Sequence, residues 1–159
     1  MDAEKFSDGP CPVARALVRV GDAWSMLILR DAGYGRTRFD QFRQSLGIAP
    51  NILTRRLAAL TEAGLLEKRR YSEKPPRDEY VLTEKGRDFL PVLAVIGAWG
   101  SKHYGQGGTT RAVDVDTGAN IDPVVVDRAT GRPLDEVRMR PVLPDWALAD
   151  CVAGAYPRP

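Results

Sequence analysis

The segment 48–65, IAPNILTRRLAALTEAGL, carries polar side chains whose types and spacing suit contacts with the edges of base pairs. Its leucines recur at helical spacing and define the face expected in the core: Leu53, Leu57 and Leu60. Asn51, Thr54 and Arg55 fall on the outward side, near the start of the predicted helix. Arginine can donate two hydrogen bonds to guanine, asparagine can pair with adenine, and threonine offers a hydroxyl and a methyl group.

This outward face has two interpretations, and the helix by itself leaves both open. Polar side chains on the exposed side of a helix are usually only solvated. In the second interpretation, Pro50, Asn51, Thr54 and Arg55 form a set that contacts bases in a major groove. Arg56 lies toward the core side of the helix, which predicts a structural role or a phosphate contact and not base recognition.

The neighbouring elements must present this face. Thr37 can cap a preceding helix, RFDQFRQSL, and Gly47 makes a turn into the helix predicted over 49–63. Gly64 is suited to end that helix, because glycine readily adopts the left-handed conformation found there. A helix, a tight turn and a second helix are therefore expected upstream of residue 65.

Two strands are predicted next, LLEKRRY at 65–71 and DEYVL at 78–82, joined by the loop SEKPPR, whose prolines are not expected to pair in a sheet. Helix, turn, helix and hairpin, in this order, predict a winged helix-turn-helix. The hairpin carries a group of cations: Lys68, Arg69, Arg70, Lys74 and Arg77. Such a wing suits phosphates or a minor groove, although a basic run is more often a solvated edge strand.

The charge distribution supports a surface for a polyanion. The whole chain has a net charge of +2, but residues 36–77 hold ten lysines and arginines against four acidic residues. Five residues of this region are the predicted contacts to a nucleic-acid backbone: Arg36, Arg38, Ser45, Lys74 and Arg77. The predicted partner is therefore double-stranded DNA.

Two further regions are apolar beyond the needs of one small core. A helix is predicted from Pro12 through Val20 and another over 22–32, and a long helix capped by Thr83 runs to His103 with a kink at Pro91. The apolar residues expected to form a dimer interface are Val13, Leu17, Leu93, Ile96 and Trp99.

The residue inventory argues against an enzyme or a metal protein. With 159 residues, one histidine and two distant cysteines, Cys11 and Cys151, the chain offers no zinc-ligand spacing and no Ser/His/Asp triad. No phosphate loop is present, so no cofactor is expected. An apolar run long enough for a membrane and a signal peptide are also lacking, which predicts a cytoplasmic location.

Residues 105–159 are expected to form a short β-rich extension with a fraying tail, after a linker at 104–110. Strand-like pieces are predicted at AVDVDTG, IDPVVVD and EVRMRPV. Two copies of D-x-x-T-G, at 114–118 and 127–131, have the spacing of a zinc knuckle with Asp and Thr in place of cysteine. They are either ordinary hairpin turns or a zinc-ribbon-like unit without metal, and neither is expected to bind zinc.

The residues from Cys11 to His103 resemble the HxlR family of bacterial transcription regulators, which are relatives of MarR-type winged-helix proteins. The matching stretches are CPVARALVRVGDAWSMLILRD, RFDQFRQSLGIAPNILTRRLAALTEAGLLEKRRYSEKPPRDEYVLTEKG and WGSKH. The resemblance implies a dimeric DNA-binding repressor or activator whose N-terminal and long C-terminal helices form the dimer. It also implies that a cysteine at the place of Cys11 senses oxidants or electrophiles in some members.

Cys11 precedes a helix and Arg15 follows one turn later, an arrangement that favours the thiolate. The alternative is a buried cysteine that acts as a small hydrophobic residue. The predicted fold is α+β and mainly α, with a winged helix-turn-helix and dimerisation domain over 1–104 and the extension over 105–159. A winged-helix module that binds a ligand or a protein without reading DNA is the rival interpretation.

Overall fold

Helical periodicity in the first 62 residues produces four helices. The computed structural model describes residues 7–145 and 147. The helices are α1 (Pro12–Val20), α2 (Ala23–Gly33), α3 (Phe39–Leu46) and α4 (Pro50–Glu62). Two antiparallel strands, β1 (Leu66–Glu73) and β2 (Pro76–Leu82), follow α4, and the remaining elements are α5 (Glu84–Asp88), α6 (Leu90–Tyr104) and a 3₁₀ turn at Leu134–Glu136.

Two compact units can be distinguished by their internal contacts. One comprises residues 16–123, and the other combines the described residues of 7–15 with those from Val124 onward. The first unit holds the helix-turn-helix and the hairpin. The domain division predicted at 104/105 stays a prediction.

The core of the first unit is built from the apolar faces of α2, α3, α4 and β1. Its side chains with at most 1% exposure are Ile28, Leu29, Phe42, Leu53, Leu57, Leu60 and Leu66. Removing one leucine or isoleucine side chain of this kind from water contributes about 1.5–3 kcal/mol. Because Leu53, Leu57 and Leu60 are fixed in this core, the other side of α4 must face outward, as the sequence predicts.

The start of α3 differs from the prediction. Arg38, not Thr37, is the residue immediately before the helix, and the Gln41 side chain accepts hydrogen bonds from the backbone N–H groups of both Thr37 and Arg38, each at 3.0 Å. The carbonyl of Thr37 is used elsewhere, since the Tyr80 N–H donates to it at 2.7 Å. Because its carbonyl is bonded to β2, Thr37 lies outside α3 and does not cap it.

Gly64 ends α4 as expected. It has a φ of 71°, and the Leu65 N–H donates to the Leu60 carbonyl at 2.9 Å across the turn. Gly47, with a φ of 61°, likewise closes α3 before α4 begins. These two turns set the direction of α4 relative to α3 and the direction of β1 relative to α4.

The predicted long helix is divided into α5 and α6. Thr83 caps the first part, because its hydroxyl oxygen accepts from the Gly86 N–H at 3.1 Å. Pro91 lacks an N–H group and cannot donate to the carbonyl four residues earlier, so the first helix ends at Asp88 and the second begins at Leu90. The break lies where the prediction places a kink: Phe89, between α5 and α6, keeps helical dihedral angles, with φ −82° and ψ −17°, and Pro91 lies in the first turn of α6.

The hairpin is longer than predicted. Its strands extend to Glu73 and Pro76, which are paired in the register, so the predicted loop 72–77 shrinks to two residues. Pro76 is tolerated because it is the first residue of β2, where a missing donor costs little. The register also shifts between Arg70 and Ser72, which leaves Tyr71 as the extra residue of a β-bulge.

The described residues after Tyr104 contain no paired strands, contrary to the expected β-rich extension. Two isolated bridges, Val113 with Asn120 and Val126 with Pro133, close two short hairpins. Each of these hairpins is closed by a single bridge, and no further pairing of the predicted strand-like pieces occurs among the described residues. The expected fraying of the last stretch falls mostly on residues outside those described.

Within the described part of the chain, no helix has the length and apolar character needed to cross a membrane.

Candidate nucleic-acid interface

The outward face of α4 is exposed at its N-terminal end. Pro50 is in the first turn, and Asn51, Thr54 and Arg55 are all exposed. Among the described residues, the side chains of Asn51 and Arg55 have no hydrogen-bond or ion-pair partner. A guanidinium and an amide without partners can form new hydrogen bonds without first breaking old ones.

Thr54 is constrained in a way the sequence did not indicate. Its hydroxyl donates to the Pro50 carbonyl at 2.9 Å, within the helix. This bond uses the hydroxyl proton, so Thr54 presents its methyl group and an acceptor oxygen. A contact through the methyl group suits thymine.

Arg56 belongs to the support of α4. Its Nε lies 3.1 Å from Asp22 Oδ1, and the same carboxylate oxygen accepts from the Ser25 N–H at 3.1 Å as the cap of α2. The ion pair joins the start of α2 to the middle of α4. This geometry agrees with the structural role predicted for Arg56.

A buried carboxylate holds a second arginine near this surface. Asp31 is fully buried, and its Oδ1 accepts two hydrogen bonds from the Arg30 guanidinium, at 2.8 and 3.1 Å. Arg36, a predicted phosphate contact, lies 3.7 Å from the same oxygen and is partly exposed. Arg36 is thus oriented by a buried anion while part of its guanidinium reaches the surface.

The cations of the hairpin fall into two groups. Lys68, Arg69 and Arg70 form ion pairs with acidic residues of the hairpin itself, at 2.9, 2.9 and 2.7 Å. By contrast, Lys74 and Arg77, next to the turn, have no charged partner among the residues described. The charge available to an external anion is therefore concentrated at the tip, where the predicted backbone contacts are.

Asp78 anchors the paired group. Lys68 Nζ lies 2.9 Å from its Oδ2 and Arg70 Nε lies 2.7 Å from its Oδ1. The hydrogen bond from Lys68, followed by that from Arg70, lowers the pKa of Asp78, and the same bond raises the pKa of Lys68. Asp78, which is adjacent in sequence to Arg77, is thus paired within the hairpin.

Tyr71 is a candidate residue that the sequence analysis did not identify. The Arg38 guanidinium carbon lies 4.6 Å from the centre of the Tyr71 ring, a cation–π contact. Only the bulge in β1 shows that this tyrosine turns toward α3. The one signal in the sequence was an aromatic residue directly after the basic run 68–70.

The remaining predicted site residues are exposed. Ser45 is on the outer side of α3. Cys11 has an exposed thiol, and its carbonyl accepts from the Arg15 N–H at 3.1 Å, so it directly precedes α1. The Arg15 guanidinium donates to the carbonyls of Gly9 and Asp8 at 2.6 and 2.9 Å. Cys151 is outside the described residues.

Apolar side chains are exposed on both predicted dimer helices. On α1, Val13 and Leu17 are 64% and 52% exposed, and on α6, Ile96 and Trp99 are 42% and 55% exposed. Leu93 is the exception, because it is partly buried against the core. No residue of α6 is buried, although its composition is strongly apolar.

The two D-x-x-T-G turns have matching backbone hydrogen bonds. Asp114 Oδ1 accepts from the N–H groups of Asp116 and Thr117 at 2.8 and 2.9 Å, and Gly118 adopts a φ of 70°. In the second turn, Asp127 accepts from the Ala129 N–H at 3.2 Å and from the Thr130 hydroxyl at 2.6 Å. The Asp and Thr side chains are therefore used to hold the turns.

The described residues thus combine a helix-turn-helix, a wing with unpaired cations at its tip and a polar outward face on α4. Together they define the class of winged helix-turn-helix DNA-binding proteins. Comparison with known proteins specifies the class further. Residues 19–107 match the family described as HxlR-like helix-turn-helix, and the chain belongs to this family.

Relatives and solved structures agree with this assignment. An uncharacterized HTH-type transcriptional regulator of Mycobacterium tuberculosis is 37% identical over 135 residues, which cover 84% of each chain. The structure of the proposed transcription factor PA1607 has a TM-score of 0.76 and 38% identity, covering 86% of this chain and 98% of its own. PA1374, another proposed transcription factor, from Pseudomonas aeruginosa, has a TM-score of 0.61 and 48% identity, with coverages of 83% and 92%.

A further structural neighbour is the redox regulator HypR in its reduced form, with a TM-score of 0.56 and 30% identity, covering 59% of this chain and 94% of its own. The predicted family and the winged-helix fold are thereby confirmed. The chain is an HTH-type transcriptional regulator and not an enzyme.

Proposed function

We propose that the protein acts in the cytoplasm as a homodimer that binds operator DNA, with α4 in the major groove and the hairpin on the backbone. The observation that carries the proposal is that Asn51 and Arg55 are exposed and have no partner in the described part of the chain, on a helix whose opposite face is fixed in the core. Pro50 and the Thr54 methyl group complete the proposed base-contacting set. Occupation of an operator near a promoter blocks transcription, so repression is the proposed outcome.

The proposed backbone contacts surround this set. They are Arg36, Arg38, Ser45, Lys74 and Arg77. The first turn of α4 adds to them, because Ala49 provides no side-chain cap and the N–H groups there remain available to a phosphate. These side chains and the N–H groups of the first turn thus place positive charge around α4, where it favours binding to a polyanion.

The proposed dimer uses the apolar residues of α1 and α6. Val13, Leu17, Ile96 and Trp99 are exposed, and Leu93 is partly buried against the core. Removing such side chains from water stabilises association in proportion to the apolar area buried. A twofold dimer also matches the twofold symmetry of a palindromic operator.

A mobility shift with the DNA upstream of the protein's own gene tests the proposal. We expect a discrete complex that survives a large excess of unrelated DNA, and a footprint of two half-sites about 10 bp apart, or a multiple of this. Binding no tighter than to scrambled DNA would reject operator recognition. That result would favour the rival function, a winged-helix module that binds a ligand or protein.

We further propose that Cys11 responds to oxidants or electrophiles. Its exposed thiol at the start of α1 supports this, as does the redox regulator HypR among the structural neighbours. A bulky adduct there would alter a helix proposed to form the dimer and would release the operator.

Treatment with a quinone should weaken operator binding by the wild type and leave Cys11→Ser unaffected. Mass spectrometry identifies the modified residue. Undiminished DNA binding by protein that is fully modified at Cys11 would rule out a sensing role.

A further inference from the structure

An open cleft lies between the start of α3 and the hairpin. Its volume is about 420 Å³. The lining residues are Arg38, Phe39, Asp40, Tyr71, Arg77 and Asp78. Two of them, Arg38 and Arg77, belong to the proposed backbone contacts, so the cleft joins an arginine of the helix-turn-helix to one of the hairpin.

The β-bulge explains why Tyr71 lines this cleft. Arg70 pairs with Asp78 and Ser72 pairs with Arg77, which leaves Tyr71 without a partner in the opposite strand. A bulge bends a strand and redirects the side chain of its extra residue. Here the ring comes to lie 4.6 Å from the Arg38 guanidinium carbon.

Arg38 is held from two directions. Its backbone is bridged to Glu79 of β2, next to the bond from the Tyr80 N–H to the Thr37 carbonyl. Its guanidinium lies against the tyrosine ring and forms no ion pair with any residue that the structure describes. The ring face limits the positions of the cation without neutralising its charge, because an aromatic ring carries no formal charge.

The charges around the cleft favour an anion. Asp78 contributes a carboxylate, but both of its oxygens are engaged by Lys68 and Arg70. Asp40 is a second acidic residue of the lining, on the first turn of α3. The four charged residues of the lining sum to zero, so the positive excess around the cleft comes from Lys68 and Arg70, which engage both oxygens of Asp78.

We propose that Tyr71 is a positioning residue that holds Arg38 so that Arg38 and Arg77 together bind one backbone phosphate of duplex DNA in this cleft. The inference rests on the proposed DNA-binding function. It commits to a phosphodiester of the duplex, because the arginines come from the two elements that flank α4.

Four variants test the inference: Tyr71→Phe, Tyr71→Leu, Arg38→Ala and the double variant Tyr71→Leu/Arg38→Ala. Tyr71→Phe keeps the ring and should bind DNA like the wild type. Tyr71→Leu should weaken binding to operator and unrelated DNA alike, by roughly 2- to 5-fold. Arg38→Ala should reduce the slope of log affinity against log salt by about one. The double variant should be no weaker than Arg38→Ala, because Tyr71 acts through Arg38.

Other results would overturn the inference. If Tyr71→Leu reduced DNA affinity by the same factor in the wild type and in Arg38→Ala, Tyr71 would act independently of Arg38. If Tyr71→Phe bound DNA as weakly as Tyr71→Leu, the effect would come from the hydroxyl and not from the ring. If Arg38→Ala left the slope of log affinity against log salt unchanged, Arg38 would not contact a phosphate.

A measurement on the wild type covers the case in which Tyr71→Leu does not fold. NMR should show the Arg38 side-chain protons shifted upfield by the ring, both before and after DNA is added. Loss of this shift in the complex would contradict the inference. If the wild type binds no operator, the proposed DNA-binding function is rejected. If it binds operator and only the results for the Tyr71 variants differ from those expected, only the positioning role of Tyr71 is rejected.

Discussion

Arg55 is the single residue with the largest expected effect on sequence preference. Its guanidinium is exposed and has no partner in the described structure. Arg55→Ala should cost roughly 1–3 kcal/mol of binding free energy at one operator position and relax the preference for its base pair. Dissociation constants for operators substituted at each position would measure both effects.

Arg69→Ala is the matched control for this prediction. It removes the same charge, but Arg69 is already paired with Glu67 at 2.9 Å. We expect the control to keep the base preference of the wild type. A preference profile for Arg55→Ala that coincides with the profile of the control would contradict the base contact.

Asp31 is the residue whose replacement should most affect stability through electrostatics. Its buried carboxylate accepts from Arg30 and lies near Arg36, while both arginines remain partly exposed. Asp31→Asn retains the size of the side chain but loses the negative charge, and should lower the free energy of unfolding by about 1–3 kcal/mol. Urea denaturation would measure the change.

The exposed pair between Arg69 and Glu67 provides the comparison for Asp31. Glu67→Gln should leave the urea midpoint unchanged, because exposed ion pairs contribute little. An Asp31→Asn midpoint equal to that of the wild type would show that the buried pair adds no net stability.

At the scale of elements, the hairpin separates paired from unpaired cations. Replacing Lys74 and Arg77 by alanine should weaken binding to all DNA sequences about equally, and should reduce the salt slope by roughly one for each lost phosphate contact. Salt titrations of the dissociation constant give the slope. The physical reason is that each contact releases counterions from the duplex.

Lys68→Ala/Arg69→Ala removes the same net charge from the same hairpin and serves as the control. Since both cations are held by hairpin carboxylates, the control should change the slope less. Equal slopes for the two double variants would mean that the position of the charge is irrelevant.

The stability of the hairpin 113–120 should decrease at acidic pH. Hydrogen bonds from the Thr117 and Asp116 N–H groups lower the pKa of Asp114. The pKa of Asp114 is thus lower in the folded than in the unfolded chain, where it is about 3.9. The stabilisation is therefore fully present above the pKa of the unfolded chain and is lost as the pH falls through the pKa of the folded one. NMR shifts of the Thr117 amide should therefore stay constant down to about pH 4 and change only below it.

Two variants complete the test of this hairpin. Asp114→Asn keeps an acceptor oxygen without the titrating proton, so the acid transition should disappear while the turn remains. Asp114→Ala should open the turn at every pH. An acid transition that persists in Asp114→Asn would assign it to another group.

At the scale of the whole molecule, the apolar surface of α6 predicts that the protein is a dimer. Trp99→Glu should convert it to a monomer and abolish high-affinity operator binding, because a charge would be placed in the proposed interface and two half-sites could no longer be bound together. Light scattering at micromolar concentration gives the mass.

Val115→Glu makes the same kind of change at a valine that is 95% exposed in the hairpin 113–120. It should remain dimeric. A wild-type monomer at micromolar concentration, or a dimeric Trp99→Glu variant, would contradict the proposed interface.

The amino-acid sequence by itself determined the order of the elements from α1 to β2 and the direction in which α4 faces. The spacing of Leu53, Leu57 and Leu60 requires one buried face, and Gly64 ends the helix, because these effects act over a few residues of chain. The winged-helix fold was predictable from the order of the elements, and the family from the resemblance of the residues from Cys11 to His103 to the HxlR family. Asn51 and Arg55 were therefore recognisable before any contact was known.

Tertiary structure alone decided which of the charged residues are already paired. The register of β1 and β2 brings Asp78 to Lys68 and Arg70 but leaves Arg77 and Lys74 without a charged partner among the described residues, and the bulge turns Tyr71 toward Arg38. A local pattern cannot indicate these pairings, because a shift of one residue in the strand register moves every side chain to the other face.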